Sequence, residues 1–399
     1  MKYGVIILSG ALTFLLSCEK EISEAQSEKF VKFYGSYTID TASDVEVLSN
    51  GGYAICGTSV SQDDGSQMTL VVTDEFGNLR QGFPRYYSDG ERSAGANALV
   101  LKNGGQGGFL VCGYSMEPGT AGDEDIYMVR VNTDGDTLWT RTFGSSEDEA
   151  ILHAAEGLSS GFMLAGYQEK NGEKDILIMQ VGEQGDSIPL SLLYTKPFNS
   201  SDMSANYILN TGENYLCVCT YNRIIGEGND ILVLNFNDEL APNFRILSLG
   251  GNFNEYGNCI VEDTAGKYLV LGNRINAQTN RSEILTYSLE TEGLRITGSD
   301  FLATIAEINT DLVSERLVKT TDGRFPVIGT RKTGGDSDIF LQFIQDYQVA
   351  ERLIYGSTGE QTGADIGLPL AGGLVLLGDN GYERNSMISL IRTDAKGNL

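Results

Sequence analysis

The chain has 399 residues, with 54 Asp and Glu against 28 Lys and Arg and a net charge of −26. That balance argues against nucleic-acid backbones and anionic lipid surfaces as partners, and it favours solubility, a cationic ligand or a divalent metal. His153 is the only histidine, which nearly excludes His-based triads, histidine-rich metal sites and imidazole general bases.

In chain order, residues 1–17 read as a targeting segment. Lys2 supplies a positive charge and Gly4 to Leu16 forms an apolar stretch too short to span a bilayer. The stretch ends Leu15-Leu16-Ser17-Cys18, which resembles the bacterial lipoprotein signal. The resemblance implies that Cys18 is lipidated and becomes the mature N-terminus, which places the protein at the cell envelope of a bacterium, on the outer membrane. Residues 18–29, with the polar run Glu19 to Glu28, read as a flexible tether. Residues 30–399 are the folded domain.

That domain repeats. An apolar run ending in Gly appears as GGYAICG (Gly51–Gly57), GGFLVCG (Gly107–Gly113), SGFMLAG (Ser160–Gly166), ENYLCVCT (Glu213–Thr220, with Thr220 for Gly), GKYLVLG (Gly266–Gly272), GRFPVIG (Gly323–Gly329) and GGLVLLG (Gly372–Gly378). The final residues of these runs lie 56, 53, 54, 52, 57 and 49 residues apart. A second apolar run follows each, beginning at Thr69, Asp125, Asp175, Asp230, Glu283, Asp338 and Ser386. Short strands with turn signals between them form a four-stranded antiparallel unit. Seven copies at this period predict an all-β fold, a seven-bladed β-propeller. In Ile176–Met179 and Ile231–Leu234 both alternating faces are apolar, which demands cover on both sides. Glu147–Leu158 contains good helix formers but occupies the place of an innermost strand, so strand is expected there.

The two ends complement each other. The last unit stops at the turn Thr393–Leu399 without a fourth strand, while residues 30–36 resemble the fourth strand Trp139–Ser145. The N-terminal strand is therefore expected to complete the last blade beside Met387–Arg392 and close the ring, removing open edges.

Candidate functional groups are few. An acid recurs shortly after a Gly-Ser motif or its variant at Asp40, Asp148, Asp202, Glu255 and Glu360. These are the candidate ligand-binding residues, expected around one mouth of the channel. Held close together they would call for a cation, with calcium the candidate ion. The alternative is that each acid accepts hydrogen bonds within its own loop. Cys56, Cys112, Cys217, Cys219 and Cys259 do not match zinc spacings and read as small buried hydrophobes. His153 is expected to be structural, and no catalytic residue is assigned.

The pattern D-[ILV]-x-[LMV], D-G-x-x-x-W, G-[GS]-S, D-[DE]-A, G-[FY]-x-x-x-G is carried best by Asp125–Gly166, with degraded copies over Phe30–Leu399. It resembles the SBBP-type bacterial β-propeller repeat. The resemblance implies a secreted or surface scaffold and assigns no catalytic residue. Trp139 is the only tryptophan, which counts against quinoprotein propellers. The expected function is a monomeric, non-catalytic scaffold that binds a protein, glycan or cationic ligand. The alternative is a carboxylate-dependent carbohydrate-active or other hydrolytic propeller enzyme.

Overall fold

The computed structural model describes residues 28–35, 39–61, 65–117, 123–186, 192–194, 201–222, 228–238, 245–251, 253–356, 358–382 and 385–399. The targeting segment, Cys18 and most of the tether lie outside these. All the regular structure among the described residues is β-strand.

The first strand, β1 (Phe30–Tyr34), stands apart from the six groups of four that follow it. These are β2 to β5 (Ile39–Val47, Tyr53–Ser61, Gly65–Val72, Arg85–Tyr87) and β6 to β9 (Ser93–Leu101, Phe109–Met116, Glu124–Val131, Thr137–Phe143). Next come β10 to β13 (Glu149–Glu156, Phe162–Lys170, Glu173–Val181, Leu192–Tyr194) and β14 to β17 (Ser201–Asn210, Tyr215–Asn222, Asn229–Phe236, Arg245–Leu249). Then follow β18 to β21 (Asn254–Thr264, Lys267–Ile275, Ser282–Glu292, Arg295–Ile305) and β22 to β25 (Asp311–Leu317, Phe325–Thr333, Asp336–Gln345, Gln348–Tyr355). A last group, β26 to β28, comprises Glu360–Gly367, Leu374–Tyr382 and Asn385–Thr393.

Within each group, consecutive strands pair antiparallel. Single parallel bridges, Ser337–Glu360 and Ile39–Ser386, join the groups at either end of the chain into one larger sheet. The β1 strand lies antiparallel to β28, with Phe30 opposite Arg392 and Tyr34 opposite Ile388. Its Tyr34 hydroxyl donates to the Gly77 carbonyl at 2.7 Å, tying it also to the first group.

The first strands of the groups pack on one another in sequence: β2 on β6, β6 on β10, then β14, β18, β22 and β26, which returns to β2. Apolar clusters fill the spaces between successive groups. Leu70 and Val111 share one, Leu110 and Leu164 the next, and Leu376 and Ile328 another, all fully buried. Each such side chain removed from water contributes roughly 1.5–3 kcal/mol. Glu149–Glu156 is a strand, as its place in the repeat requires, and Ile176–Met179 and Ile231–Leu234 are buried on both faces.

A β-bulge interrupts every first strand, and it explains the recurring glycine. The residue before the bulge pairs with the anchor on the second strand: Ala42 with Gly57, Ala96 with Gly113, Ile151 with Gly166, Gly257 with Gly272, Ser314 with Gly329, and Gly363 with Gly378. A Cβ at Gly166 would overlap the Ala150 carbonyl oxygen, and one at Gly57 or Gly329 would meet Thr41 or Val313 in the same way. In the fourth group the residue at this place is Cys219, opposite Ala205, and not Thr220 as the sequence suggested. Thr220 has the role of Thr58 and Thr330. Their Oγ1 atoms accept from the backbone N–H of Gly257, Ala96 and Gly363 on the neighbouring group at 3.1, 3.2 and 3.2 Å.

Candidate functional site in the central cavity

The bulges position the site. Four of the seven bulged residues bind across to the next first strand. Ser43 Oγ donates to Ala96 O at 2.7 Å, Asn97 Nδ2 to Ile151 O at 2.8 Å, and Asn206 Nδ2 to Gly257 O at 2.7 Å. Asn258 Nδ2 donates in the same sense to Ser314 O. A bulge re-aims the side chains beside it. The residue after the bulge is Asp44, Ala98, His153, Tyr207, Cys259, Arg316 or Asp365, group by group. Five of these, Asp44, His153, Tyr207, Arg316 and Asp365, line one cavity of about 330 Å³, together with Glu46. A second cavity of about 370 Å³ is lined by Glu315, Lys332 and Asp379, and Arg316 is the one residue lining both.

These side chains are linked. Asp44 and Asp365 lie against each other, close enough for one carboxyl group, when protonated, to donate to the other. Asp365 also accepts from the backbone N–H of Val45 at 2.9 Å and Ile366 at 2.8 Å, and Asp44 accepts from Leu99 N–H at 2.8 Å. The Arg316 guanidinium lies 5.1 Å from the Tyr207 ring centroid, a cation–π contact. On Tyr207 the His153 ring packs at 4.0 Å between centroids. His153 Nδ1 accepts from Ile208 N–H at 3.3 Å, which leaves the proton of the neutral ring on Nε2.

The charge balance is lopsided. Three carboxyl groups, Asp44, Glu46 and Asp365, face one guanidinium. Burial, then the charges of Asp365 and Glu46, hold Asp44 well above the usual carboxylate range. Burial and Asp365 push Glu46 to about 8. Asp365 is raised by burial, against the pull of Arg316. Burial, reinforced by Arg316, holds His153 well below its ordinary value and therefore neutral. Across Arg316, Glu315 is pushed by burial to about 7 and Asp379 to about 6. At neutral pH the first cavity thus stores protons on acids that a bound cation could displace.

The acids singled out from the sequence lie elsewhere, in two registers. Asp40 and Glu255 stand two residues before their pre-bulge positions, as does Glu149. Asp148, Asp202 and Glu360 stand one residue earlier: Asp148 just before β10, Asp202 in a second bulge of β14, and Glu360 at the start of β26. Asp40 and Glu255 are buried, whereas Asp202 and Glu360 are exposed. Asp148 Oδ1 accepts from Glu124 N–H at 3.0 Å and Glu255 Oε2 from the Tyr287 hydroxyl at 3.3 Å. Burial, then the nearby Asp230 charge against Tyr287, raises Glu255. Glu149, not among the candidates, binds Ser145 Oγ at 2.6 Å and Gln168 Nε2 at 2.7 Å. Among the described residues, no group of three or more His, Cys, Asp or Glu is arranged to hold a metal ion. The five cysteines are free thiols in buried positions.

No family model matches the chain, and no curated protein matches it. Solved structures do. An ulvan lyase of polysaccharide lyase family PL25, bound to -[GlcA(1-4)Rha3S]-, aligns with a TM-score of 0.56 at 10% identity over 91% of this chain and 96% of that one. A Fusarium graminearum α-L-arabinofuranosidase aligns with a TM-score of 0.51 at 11% identity, over 92% and 98%. An acylaminoacyl peptidase of Pyrococcus horikoshii aligns at 0.48 and 12% identity over 90% of this chain and 53% of its own, so the chain spans about half the length of that peptidase. At such identities the first two likenesses carry the fold alone: this chain is a β-propeller.

Proposed function

We propose that the chain is a seven-bladed propeller closed by β1, exported and lipid-anchored through Cys18, which binds a small cationic ligand in its central cavity without transforming it. The ring of first strands that returns from β26 to β2 supports the blade count, and the β1–β28 pairing supports the closure. The resemblance of Asp125–Gly166 to the SBBP-type repeat supports a surface scaffold. The observation that carries the binding role is the cavity of about 330 Å³ in which three carboxyl groups face one guanidinium. An organic amine supplies the missing positive charge, and Tyr207 and His153 supply apolar ring surface. Putrescine is the probe, with 1,4-butanediol as its uncharged isostere. Calorimetry is expected to show saturable heat with the diamine and none with the diol, and loss of binding in an Asp44→Asn/Glu46→Gln variant. Equal heats for diamine and diol, or none for either, defeat the reading. Mass spectrometry of the membrane fraction tests the anchor: a mature chain that begins elsewhere than Cys18 removes it.

A second reading, carboxylate-dependent hydrolysis, is favoured by the Asp44–Asp365 pair. Two carboxyl groups sharing a proton can supply one acid and one base. Turnover of aryl glycosides by the wild type, lost in both Asp44→Asn and Asp365→Asn, would establish it in place of simple binding.

A further inference from the structure

At one position of the repeat the large apolar side chain of five groups is replaced in the last group by a small one, beside which lies a hole. The residue of the third strand that pairs with the anchor is Thr69 in the first group and Tyr127, Leu177, Leu232, Leu285 and Phe340 in the next five. All five are buried side chains packed in the clusters between groups. In the last group the residue is Ser389, opposite Gly378 on one side and Phe33 of β1 on the other. The small side chain leaves a pocket of about 320 Å³ against the preceding group.

The lining of this pocket is specific. Its apolar walls are Val31, Phe33, Ile339, Ile354 and Ile391, and the polar residues Ser389, Gln361 and Asn380 lie among them. Ser389 is 2% exposed, and its Oγ makes no hydrogen bond among the described residues. A buried hydroxyl without a partner is destabilising, so a group that bonds to it is bound favourably. Val31, Phe33 and Ile354 are 41%, 48% and 44% exposed, so the pocket is open to solvent at its mouth. No charged side chain lines it. An ion entering would lose water and meet no side chain of opposite charge.

We propose that this pocket between the last two groups binds a small neutral molecule with an apolar ring and one hydrogen-bonding group, a phenol or a cyclic alcohol, with Ser389 Oγ as its polar partner. The volume lies at the small end of the range of ligand pockets. This site is separate from the central cavity and does not depend on it.

Fluorine NMR of 4-fluorophenol with the wild-type protein, Ser389→Ala and Ser389→Leu tests the proposal. The wild type is expected to shift and broaden the resonance saturably. Ser389→Ala keeps the space and loses the hydroxyl, so affinity falls about fivefold. Ser389→Leu introduces the side chain that three other groups carry at this position. It is expected to abolish binding and to raise the ligand-free melting temperature by about one or two degrees. Titration of 4-fluorobenzoate, the charged analogue, is expected to give no shift. Absence of binding to the wild type, or unchanged affinity in both variants, overturns the proposal. Near-ultraviolet circular dichroism identifies a misfolded leucine variant, and the alanine variant then decides alone.

Discussion

Asp44, from the first blade in the chain, lies against Asp365, from the last. The two residues hold equivalent places after the bulges of β2 and β26. Asp365 also accepts the Val45 N–H at 2.9 Å, so the contact binds one first strand to another at the seam. Replacing Asp365 by Ala leaves two backbone donors without their acceptor and removes a negative charge that Arg316 feels. Chemical denaturation is expected to show a loss of roughly 3–5 kcal/mol, with a smaller loss for Asp365→Asn, which keeps an acceptor oxygen. Equal stability of wild type and alanine variant would mean that the seam is held by its other contacts, among them the Ile39–Ser386 bridge and the Ala42 N–H to Asp379 bond.

Stability is expected to fall as pH rises above neutrality. Glu46 releases its proton near 4.5 when unfolded but at about 8 when folded, because of burial and the Asp365 charge. Glu315 behaves similarly, with its folded value at about 7. In that window the folded state binds more protons than the unfolded one, so stability is complete below 4.5 and is lost up to about 8. His153 acts in the opposite sense. It stays neutral when folded, so its contribution is lost as pH falls below 6.5. Melting curves from pH 6.5 to 8.5 should therefore decline in the wild type and flatten in Glu46→Gln. A slope unchanged by that substitution assigns the decline to other groups.

The anchor glycine is a steric requirement. Gly166→Ala places a methyl group on the Ala150 carbonyl oxygen, and the strands must part to admit it. The expected cost is roughly 2–4 kcal/mol, read from urea midpoints. Gly172→Ala, at a turn with nothing nearby to clash but a φ of 74°, is the control for backbone strain without overlap and should cost less.

Removing β1 exposes an edge of β28 and uncovers apolar surface. It also removes the hydrogen bond from the buried Tyr34 hydroxyl to Gly77 O. A chain beginning after Tyr34 is expected to lose several kcal/mol and to aggregate through the open strand. Tyr34→Phe isolates the hydrogen bond and should cost about 1 kcal/mol. If the truncated chain melts with the full domain, the last blade stands without β1.

Much of the architecture was legible because it rests on local chemistry that repeats. Runs such as Ile176–Met179, apolar on both faces, require burial between layers, and the glycines at Gly57, Gly113 and Gly166 recur because each faces a carbonyl oxygen beyond a bulge. The slip at Thr220 has a physical cause. Cys219 takes the anchor place, and Thr220 carries the cross-blade hydrogen bond that Thr58 and Thr330 make. The central cavity was hidden for the opposite reason. Its residues share one register position but no common chemistry: an acid at Asp44 and Asp365, but His153, Tyr207 and Arg316 in other blades. Asp44, His153, Arg316 and Asp365 do stand at a fixed distance before their anchor glycines, a signal visible only once the bulge is known. The recurring rim acids drew attention instead because they repeat, and Asp148 and Glu255 are engaged with neighbouring groups.

The claim that the central cavity binds a cation by displacing protons is tested most directly by titrating putrescine at pH 7 in two buffers of different ionisation enthalpy. If Asp44 and Glu46 hold protons in the empty cavity, the observed heat differs between buffers in proportion to the protons released, with about one or more per diamine bound. The difference should vanish in Asp44→Asn/Glu46→Gln together with the binding. Binding with identical heats in both buffers, or binding that survives the double substitution, contradicts the account.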